Sequence, residues 1–353
     1  MGVNENLAQF SNVLMYSAIA VYLMAFFAYC MEWTFGSSGT VAKRSADLTV
    51  EVLEPAAAEG AGGGVALAER PVVVLRDGAD TGAGAEDEGN VAGGSERADR
   101  IGRVAVSLTV LAFLLHAGSV LTRGISVERA PWGNMYEFST SVALMVVTAF
   151  LALLWKYPVR WLGLFVTLPV LTTLGVAVTV LYTDSEQLVP ALDSYWLWIH
   201  VASAIVSFGA FHIGALASIL FLFKQRYERR QADPADTKRG RFDDQLARLP
   251  SASSLDKTAY RVNAIIFPLW TFAIVCGAIW AENAWGRYWG WDPKEVWSFI
   301  TWVAYAAYLH ARATAGWKGS KAAVVSLVAF SCFLFNYYGV NIFVNGLHSY
   351  AGV

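Results

Sequence analysis

Residues 285–300, WGRYWGWDPKEVWSFI, join two long apolar segments and are the most informative stretch of the chain. They contain four tryptophans and one tyrosine, together with Asp292, Lys294 and Glu295. Tryptophans near membrane helices often anchor the helix ends in the headgroup region, but such belts place only roughly one or two at each end. The higher density here, with two glycines that let the backbone approach closely, predicts a surface for a large, flat, apolar ligand.

The composition is that of a membrane protein. The 353 residues are 56% hydrophobic and only 15% charged, with a mean hydropathy of +0.43, whereas an average soluble domain is about 25% charged. The net charge of −2 and the lack of a basic patch argue against nucleic-acid binding. The three cysteines are isolated in apolar segments and form no CxxC motif, which excludes a thiol–disulfide carrier and a cytochrome with covalently bound haem.

Eight apolar stretches reach the roughly 20 residues that a membrane-spanning helix needs. We therefore predict an all-α polytopic membrane protein with about eight transmembrane helices and a Trp-rich outer loop. The first stretch has no small-residue cleavage site, so we expect it to be a retained helix rather than a signal peptide. The stretches cover residues 13–32, 102–122, 136–155, 161–182, 195–223, 260–283, 296–315 and 322–345.

The placement of Lys and Arg predicts the orientation, because basic loops stay in the cytoplasm. Residues 224–261, between the fifth and sixth stretches, contain ten basic residues. The segments after the fourth and eighth stretches contain none. This pattern predicts a multi-pass protein of the cell (plasma) membrane, with both termini and the Trp-rich connector on the outer face.

The composition also divides the chain into three parts. Residues 1–35 hold the first transmembrane helix. Residues 36–100 are rich in Ala, Gly and acidic residues and have no aromatic residue; such a composition buries too little apolar surface to fold, so we predict a disordered cytoplasmic linker. Residues 101–353 form a seven-helix domain.

All five histidines lie within or at the end of an apolar stretch, where an ionisable residue is a functional hypothesis by default. The alternative for each is a structural histidine held by an interhelical hydrogen bond. His200 and His348 are both expected near the outer surface, at the depth of the Trp-rich connector. Two neutral imidazoles that face each other above an aromatic floor are suitable axial ligands for haem iron.

The other three histidines lie at different depths. His310 is expected about 21 Å below the outer end of its helix, in the inner half of the membrane. His116 differs from it in depth by roughly 13 Å, whereas His212 matches the depth of His310 better. Spacing alone therefore leaves His310 to pair with His212 or with a residue of another subunit.

These features resemble the CcsA/ResC family, the haem-handling membrane subunit of system II cytochrome c maturation. The resemblance covers about residues 102–353. It rests on WGRYWGWDPKEVWSF at 285–299, which is the family's WWD signature, on YLHARATAGWKG at 308–319, SYWLWIH at 194–200 and GLHSYAG at 346–352, and on HAGSVLTRGISVERAPWGNMYEF at 116–138.

The resemblance implies that His200 and His348 ligate an external haem presented over the WWD loop. It also implies that His310 ligates a second haem within the membrane, with a partner histidine from a ResB-type subunit; His212 and His116 remain alternatives for that second ligand. The expected platform for the outer haem consists of Trp285, Trp289, Trp291 and Asp292.

Three arginines, Arg123, Arg129 and Arg287, fall on the predicted outer side, against the general rule for basic residues. We interpret them as candidate contacts for haem propionates. No residue is assigned a certain catalytic role, because the chemistry implied by the resemblance depends largely on positioning.

The implied function is cytochrome c maturation. Haem b, as cargo, would pass from the inner site to the outer one, where the thiolates of an apocytochrome c CxxCH motif add to its vinyl groups. The chain would be one component of a cytochrome c haem lyase (synthetase) complex, together with a ResB-type subunit and a thiol-reducing partner. Two alternatives stay open: a di-haem electron-transfer cytochrome of the membrane, and an iron-free channel or carrier.

Overall fold

The computed structural model describes residues 3–35, 88–156, 159–188, 193–233 and 242–348. Within these ranges the regular secondary structure is helical throughout, which confirms the predicted all-α fold. The helices are α1 (Glu5–Phe35), α2 (Glu88–Val127), α3 (Met135–Lys156), α4 (Gly163–Thr179), α5 (Ala202–Gln231), α6 (Asp243–Ala247), α7 (Ala252–Trp285), α8 (Pro293–Ala313), α9 (Ser320–Leu334) and α10 (Val340–Phe343).

Three irregular turns adjoin these helices. A 3₁₀ turn, Arg160–Leu162, precedes α4. A π turn at Leu197–Val201 leads into α5, and a second π turn at Phe335–Gly339 joins α9 to α10. Single π turns inside α-helices are frequent at functional sites, and both of these contribute side chains to the cavity described below.

Seven helical segments in the described ranges are long and apolar enough to cross a membrane, so the chain is a multi-pass membrane protein. They are Glu5–Thr34, Glu96–Val127, Met135–Lys156, Arg160–Thr179, Leu197–Gln231, Ala252–Trp285 and Ser320–Phe343. The predicted stretch 296–315 corresponds to α8, which is not among them because Trp, Tyr, Thr and charged residues lower its hydropathy. It still runs antiparallel to α7, since Arg312 near its end pairs with Asp256 near the start of α7 at 2.6 Å.

Helix α2 begins well before the apolar stretch that predicted it. It starts at Glu88 and therefore includes residues 88–100, which the composition assigned to the linker. Asp99 in this extension shares the guanidinium of Arg160 with Glu32 of α1, each at 2.6 Å. This ion-pair cluster joins α1 and α2 to the turn before α4. The rest of the predicted linker, residues 36–87, lies outside the described residues.

Polar side chains also connect α1 and α2 within the bundle. The hydroxyls of Ser11 and Ser119 each donate to the other's backbone carbonyl, at 2.9 and 2.8 Å. The hydroxyls of Tyr29 and Thr109 lie 3.2 Å apart. Helices without water around them associate through such interhelical hydrogen bonds and through close packing of small residues.

An aromatic layer connects α5, α8 and α9. The rings of Phe211 and Tyr305 stack with their centroids 3.9 Å apart, and those of Phe208 and Phe333 stack at 4.8 Å. Stacked aromatic pairs of this kind add to the energy of burial. The aromatic residues of α8 are thus used for stacking against α5. The layer also adjoins the cavity described below, because Phe333 lines it.

We expect Gly163→Ala to lower the thermal stability of the protein in detergent, measured by tryptophan fluorescence. A β-carbon at Gly163 would overlap the ring of Tyr29, a rigid group that is completely buried between α1 and α4. Overpacking of this kind costs about 1–3 kcal/mol. The matched control is Gly175→Ala in the same helix, where a β-carbon meets nothing within 4 Å. Equal melting temperatures for the two variants would contradict this packing.

Candidate functional site

A cavity of about 210 Å³ lies where α7 ends and α8 begins. The two π turns, the connector, the loop before α3 and the segment after α10 all contribute to its wall. It brings together His200 and His348, the pair expected from their shared depth. The wall is rich in aromatic residues; besides the two histidines, its aromatic and charged members are Trp132, Phe138, Trp270, Trp280, Trp285, Tyr288, Trp289, Lys294, Glu295, Phe333 and Tyr337.

His200 is held against α7 by a hydrogen bond from its ring. Its Nδ1 lies 2.8 Å from the carbonyl oxygen of Ala273. A carbonyl oxygen only accepts, so Nδ1 carries the proton and Nε2 is the lone-pair nitrogen of the ring. The ring lies so close to the α7 backbone that a β-carbon at Gly277 would be 2.8 Å from its Cε1. The missing side chain at Gly277 thus makes room for the imidazole.

His348 is oriented in the same way, by a carboxylate instead of a carbonyl. Its Nδ1 donates to Asp292 Oδ1 at 2.7 Å, which again leaves Nε2 as the lone-pair nitrogen. The ring also packs edge-on against Trp285, with the centroids 5.0 Å apart. Both histidines therefore have the tautomer and the fixed orientation that are typical of histidines that ligate metals.

Asp292 is the residue that fixes this part of the fold. It forms the N-cap of α8 and takes part in a capping box with Glu295. Its second oxygen, Oδ2, accepts the backbone N–H of Leu347 at 2.7 Å. One carboxylate thus joins the start of α8, the segment after α10 and the ring of His348.

The titration behaviour of this pair follows from these contacts. Burial of Asp292 opposes its ionisation, but the hydrogen bonds from the Leu347 amide and the His348 ring outweigh burial and hold its pKa below the usual range. Burial lowers the pKa of His348, although the nearby Asp292 carboxylate opposes this shift. His348 is therefore neutral at pH 7, the form in which imidazole binds a metal.

The Trp-rich connector takes its shape from Glu295. This carboxylate accepts the backbone N–H groups of Gly290 and Asp292 at 2.8 and 3.0 Å, and it pairs with Arg287 at 3.2 Å. Gly286 and Trp291 both have positive φ angles, 69° and 59°, which turn the chain back sharply. Glu295 is thus a structural centre of the loop.

The predicted platform is only partly assembled by this turn. Trp285 and Trp289 line the cavity, and Asp292 supports it through His348. Trp291 does not line it: its left-handed backbone directs the indole outward, and 69% of its surface is exposed. Its edge still meets Trp289, with the ring centroids 6.0 Å apart.

Each of the three candidate arginines pairs with a carboxylate. Arg123 and Arg129 both bind Glu137, which is completely buried, at 3.2 and 2.8 Å. Arg129 also donates to the backbone carbonyl of Glu186. Together with the Arg287–Glu295 pair, these contacts give each of the three arginines an ionic partner, and their role as contacts for propionates stays a prediction. None of the three is part of the cavity wall.

His310 lies far from the cavity. It is exposed on α8, about 27 Å along the helix from Asp292. His212 packs edge-on against Phe208 and Phe330, each with centroids 4.7 Å away, and lines a small apolar cavity between α3, α4 and α5. His116 is completely buried between α1 and α2, with Nδ1 3.5 Å from the hydroxyl of Tyr22. In the described part of the chain no hydrogen bond or ring contact joins His310 to either of the other two.

The structure adds residues to the cavity that the sequence did not single out. The side chain of Lys294 reaches the backbone carbonyl of Asn336 and the side-chain oxygen of Asn341, at 3.0 and 3.1 Å. The Asn336 amide in turn donates to the hydroxyl of Ser298 at 3.1 Å. The position of Lys294 beside Asp292 was visible in the sequence, but its partners follow from the π turn at Phe335–Gly339.

Sequence comparisons identify the family. The chain matches the Cytochrome C assembly protein family over residues 132–348. It belongs to this family. The matched region begins at Trp132 and ends at His348, and both of these residues line the cavity. The family-specific part of the chain is therefore the part that builds the cavity, whereas α1 and α2 lie outside it.

Curated members of the family are similar over most of their length. The cytochrome c biogenesis protein CcsA of Gloeobacter violaceus is 34% identical over 288 residues, which cover 69% of this chain and 84% of that protein. The CcsA of Mesostigma viride is 37% identical over 238 residues, covering 62% and 77%. The CcsA of Trieres chinensis is 32% identical over 277 residues, covering 71% and 86%. The resemblance expected from the WWD signature is thus confirmed.

We expect Glu137→Gln to destabilise the protein strongly, because it removes the carboxylate that both Arg123 and Arg129 bind. Breaking a buried ion pair from one side costs about 3–5 kcal/mol. The control is Glu186→Gln, an exposed acidic residue whose backbone carbonyl, not its carboxylate, receives Arg129. Thermal denaturation in detergent separates them. Similar melting temperatures for both variants would show that the cluster does not stabilise the fold.

Proposed function

We propose that the cavity binds haem b as cargo during cytochrome c biogenesis, with His200 and His348 as the two axial ligands of its iron. The observation that carries this proposal is the matched orientation of the two imidazoles. Each ring donates from Nδ1 to a fixed acceptor, and each keeps Nε2 as its lone-pair nitrogen. Histidines that ligate metals almost always have such an acceptor behind the ring.

The composition of the wall fits this cargo. Trp132, Trp280, Trp285 and Trp289 offer large ring faces and edges, which suit a planar, apolar macrocycle. Two neutral imidazoles suit the iron at its centre. The membership of the chain in the cytochrome c assembly family supports the role of this haem in cytochrome c biogenesis.

In this function the chain positions the cargo for another protein. The thiol of each apocytochrome cysteine adds across a haem vinyl group: a C–S bond forms at one vinyl carbon and a proton reaches the other, so that no net oxidation occurs. The thiolate is the reactive form of cysteine. The contribution of this chain is to hold the porphyrin rigidly with its vinyl edge accessible, which lowers the barrier through orientation.

The remaining parts of the proposal concern the partners and the second haem. The WWD loop would face the outer side of the plasma membrane, where an apocytochrome c CxxCH motif, kept reduced by a thiol-reducing partner, docks. His310 would ligate a second haem on its way outward, with a ligand from a ResB-type subunit, within one haem lyase complex. The exposure of His310 on α8 supports a ligand from another chain over His212 or His116, which are packed inside this one.

We expect His200→Gly and His348→Gly each to lower haem occupancy of the purified protein and to abolish covalent haem attachment in membranes. Added imidazole should partly restore occupancy, because it fills the vacant axial position. The readouts are the Soret absorbance and a covalent-haem stain. In the control, His116→Gly, imidazole should have no effect, since His116 lies away from the cavity.

Two outcomes would contradict the proposal. Full haem occupancy and full cytochrome c assembly in both single variants would remove His200 and His348 as ligands. Retention of the wild-type haem during turnover with an apocytochrome, with no covalent product, would instead favour an electron-transfer cytochrome.

A further inference from the structure

Lys294 places its amino group in the cavity wall, where burial lowers its pKa to about 7 although the Asp292 carboxylate opposes this shift. Its ammonium group donates to two neutral oxygens, the Asn336 carbonyl and the Asn341 amide, and lies 5.6 Å from the centre of the Tyr337 ring. In the described ranges no carboxylate forms an ion pair with it. A charge removed from water normally has a counter-ion or a ligand.

In the described residues, the nearest acidic residue forms no direct ion pair with the Lys294 ammonium. Asp292 stands two positions earlier, but its carboxylate is engaged by the His348 ring, the Leu347 amide and the backbone N–H of Lys294 itself. The other acid beside the cavity, Glu295, is bound by Arg287 and by two backbone amides. The local carboxylates thus have other hydrogen-bond partners, and the Lys294 ammonium donates to Asn336 in the π turn and to Asn341 in α10.

Several arginines of the bundle show a different pattern. Arg123 and Arg129 share Glu137, and Arg312 pairs with Asp256. These arginines lie outside the cavity, and each one pairs with a carboxylate. Lys294 lines the cavity, lacks such a pair, and is close enough to interact electrostatically with both His200 and His348.

We propose that Lys294 binds a carboxylate of the cargo, a haem propionate, and so sets the orientation of the porphyrin in the cavity. This inference rests on the proposed function of the same site. A contact between an ammonium and a carboxylate joins two charged groups, whereas Lys294 now donates to two neutral oxygens. The vinyl groups lie on the edge of the ring opposite the propionates. A propionate at Lys294 therefore directs the reactive vinyl edge away from it, and the site discriminates against porphyrins without free carboxylates.

The test compares haem b with its dimethyl ester, in which both propionates are uncharged. Each is titrated into the purified full-length chain in detergent, and the Soret absorbance gives the dissociation constant. The wild type should bind haem about tenfold or more tightly than the ester, the range expected for one hydrogen bond between charged groups. Lys294→Gln keeps a donor for Asn336 but removes the charge. For this variant, the ratio of the dissociation constants of the ester and of haem should fall close to one.

Two further variants control this comparison. Lys294→Arg keeps the charge and should keep most of the preference for haem. Lys257→Gln removes an exposed lysine at the far end of α7 and should leave the ratio unchanged. Unchanged binding of the ester by Lys294→Gln shows that the variant is folded; if it does not fold, Lys294→Met is titrated in the same way.

The outcomes separate this inference from the function on which it rests. A wild-type ratio near one, or a Lys294→Gln protein that still prefers haem like the wild type, overturns the role of Lys294 while haem binding stands. A wild-type protein that binds neither compound overturns the proposed function itself.

Discussion

The hydrogen bond between Asp292 and His348 is the interaction on which the site depends. The Asp292 carboxylate caps α8 by accepting the backbone N–H of Lys294, anchors the segment after α10 through the Leu347 amide, and fixes the ring of His348. This one carboxylate therefore couples three parts of the fold: the start of α8, the segment after α10 and the ring of His348. Its position next to the left-handed Trp291 also explains why the connector turns so sharply. On the other side of the cavity, the Ala273 carbonyl accepts a hydrogen bond from His200 Nδ1 and so orients that ring, as Asp292 orients His348.

The rest of the bundle follows from the lack of water in a membrane. Polar groups there need partners within the protein, and the ionic clusters lie at the helix ends: Arg160 with Glu32 and Asp99, and Glu137 with its two arginines. These clusters hold the ends of α1 to α4 in register. Aromatic stacking holds α5, α8 and α9, which is why α8 can be rich in Tyr and Trp and still cross the bundle beside α7. The cavity lies where this aromatic layer meets the connector.

Depth along the helices was sufficient to predict that His200 and His348 lie together, because 1.5 Å per residue is a reliable measure. The family was visible in the WWD signature. Three features of the site could not be predicted from the sequence. The exposure of Trp291 depends on one positive φ angle, which no propensity indicates for tryptophan. Glu137, the partner of Arg123 and Arg129, lies at the start of a helix, and no sequence pattern links it to them. Lys294 donates to Asn336, which lies in a π turn, and to Asn341 just beyond it, and hydropathy does not reveal π turns.

The central claim is that one iron lies between the two oriented imidazoles, and a structure of the haem-loaded protein tests it most directly. Electron cryomicroscopy of the full chain, purified with its haem in detergent or nanodiscs, would show whether a porphyrin fills the cavity beside α7. The account predicts density for the macrocycle between His200 and His348, with Nε2 of both rings bound to the iron and Nδ1 still on Ala273 and Asp292. A well-resolved haem held by other residues, with this cavity empty, would contradict it.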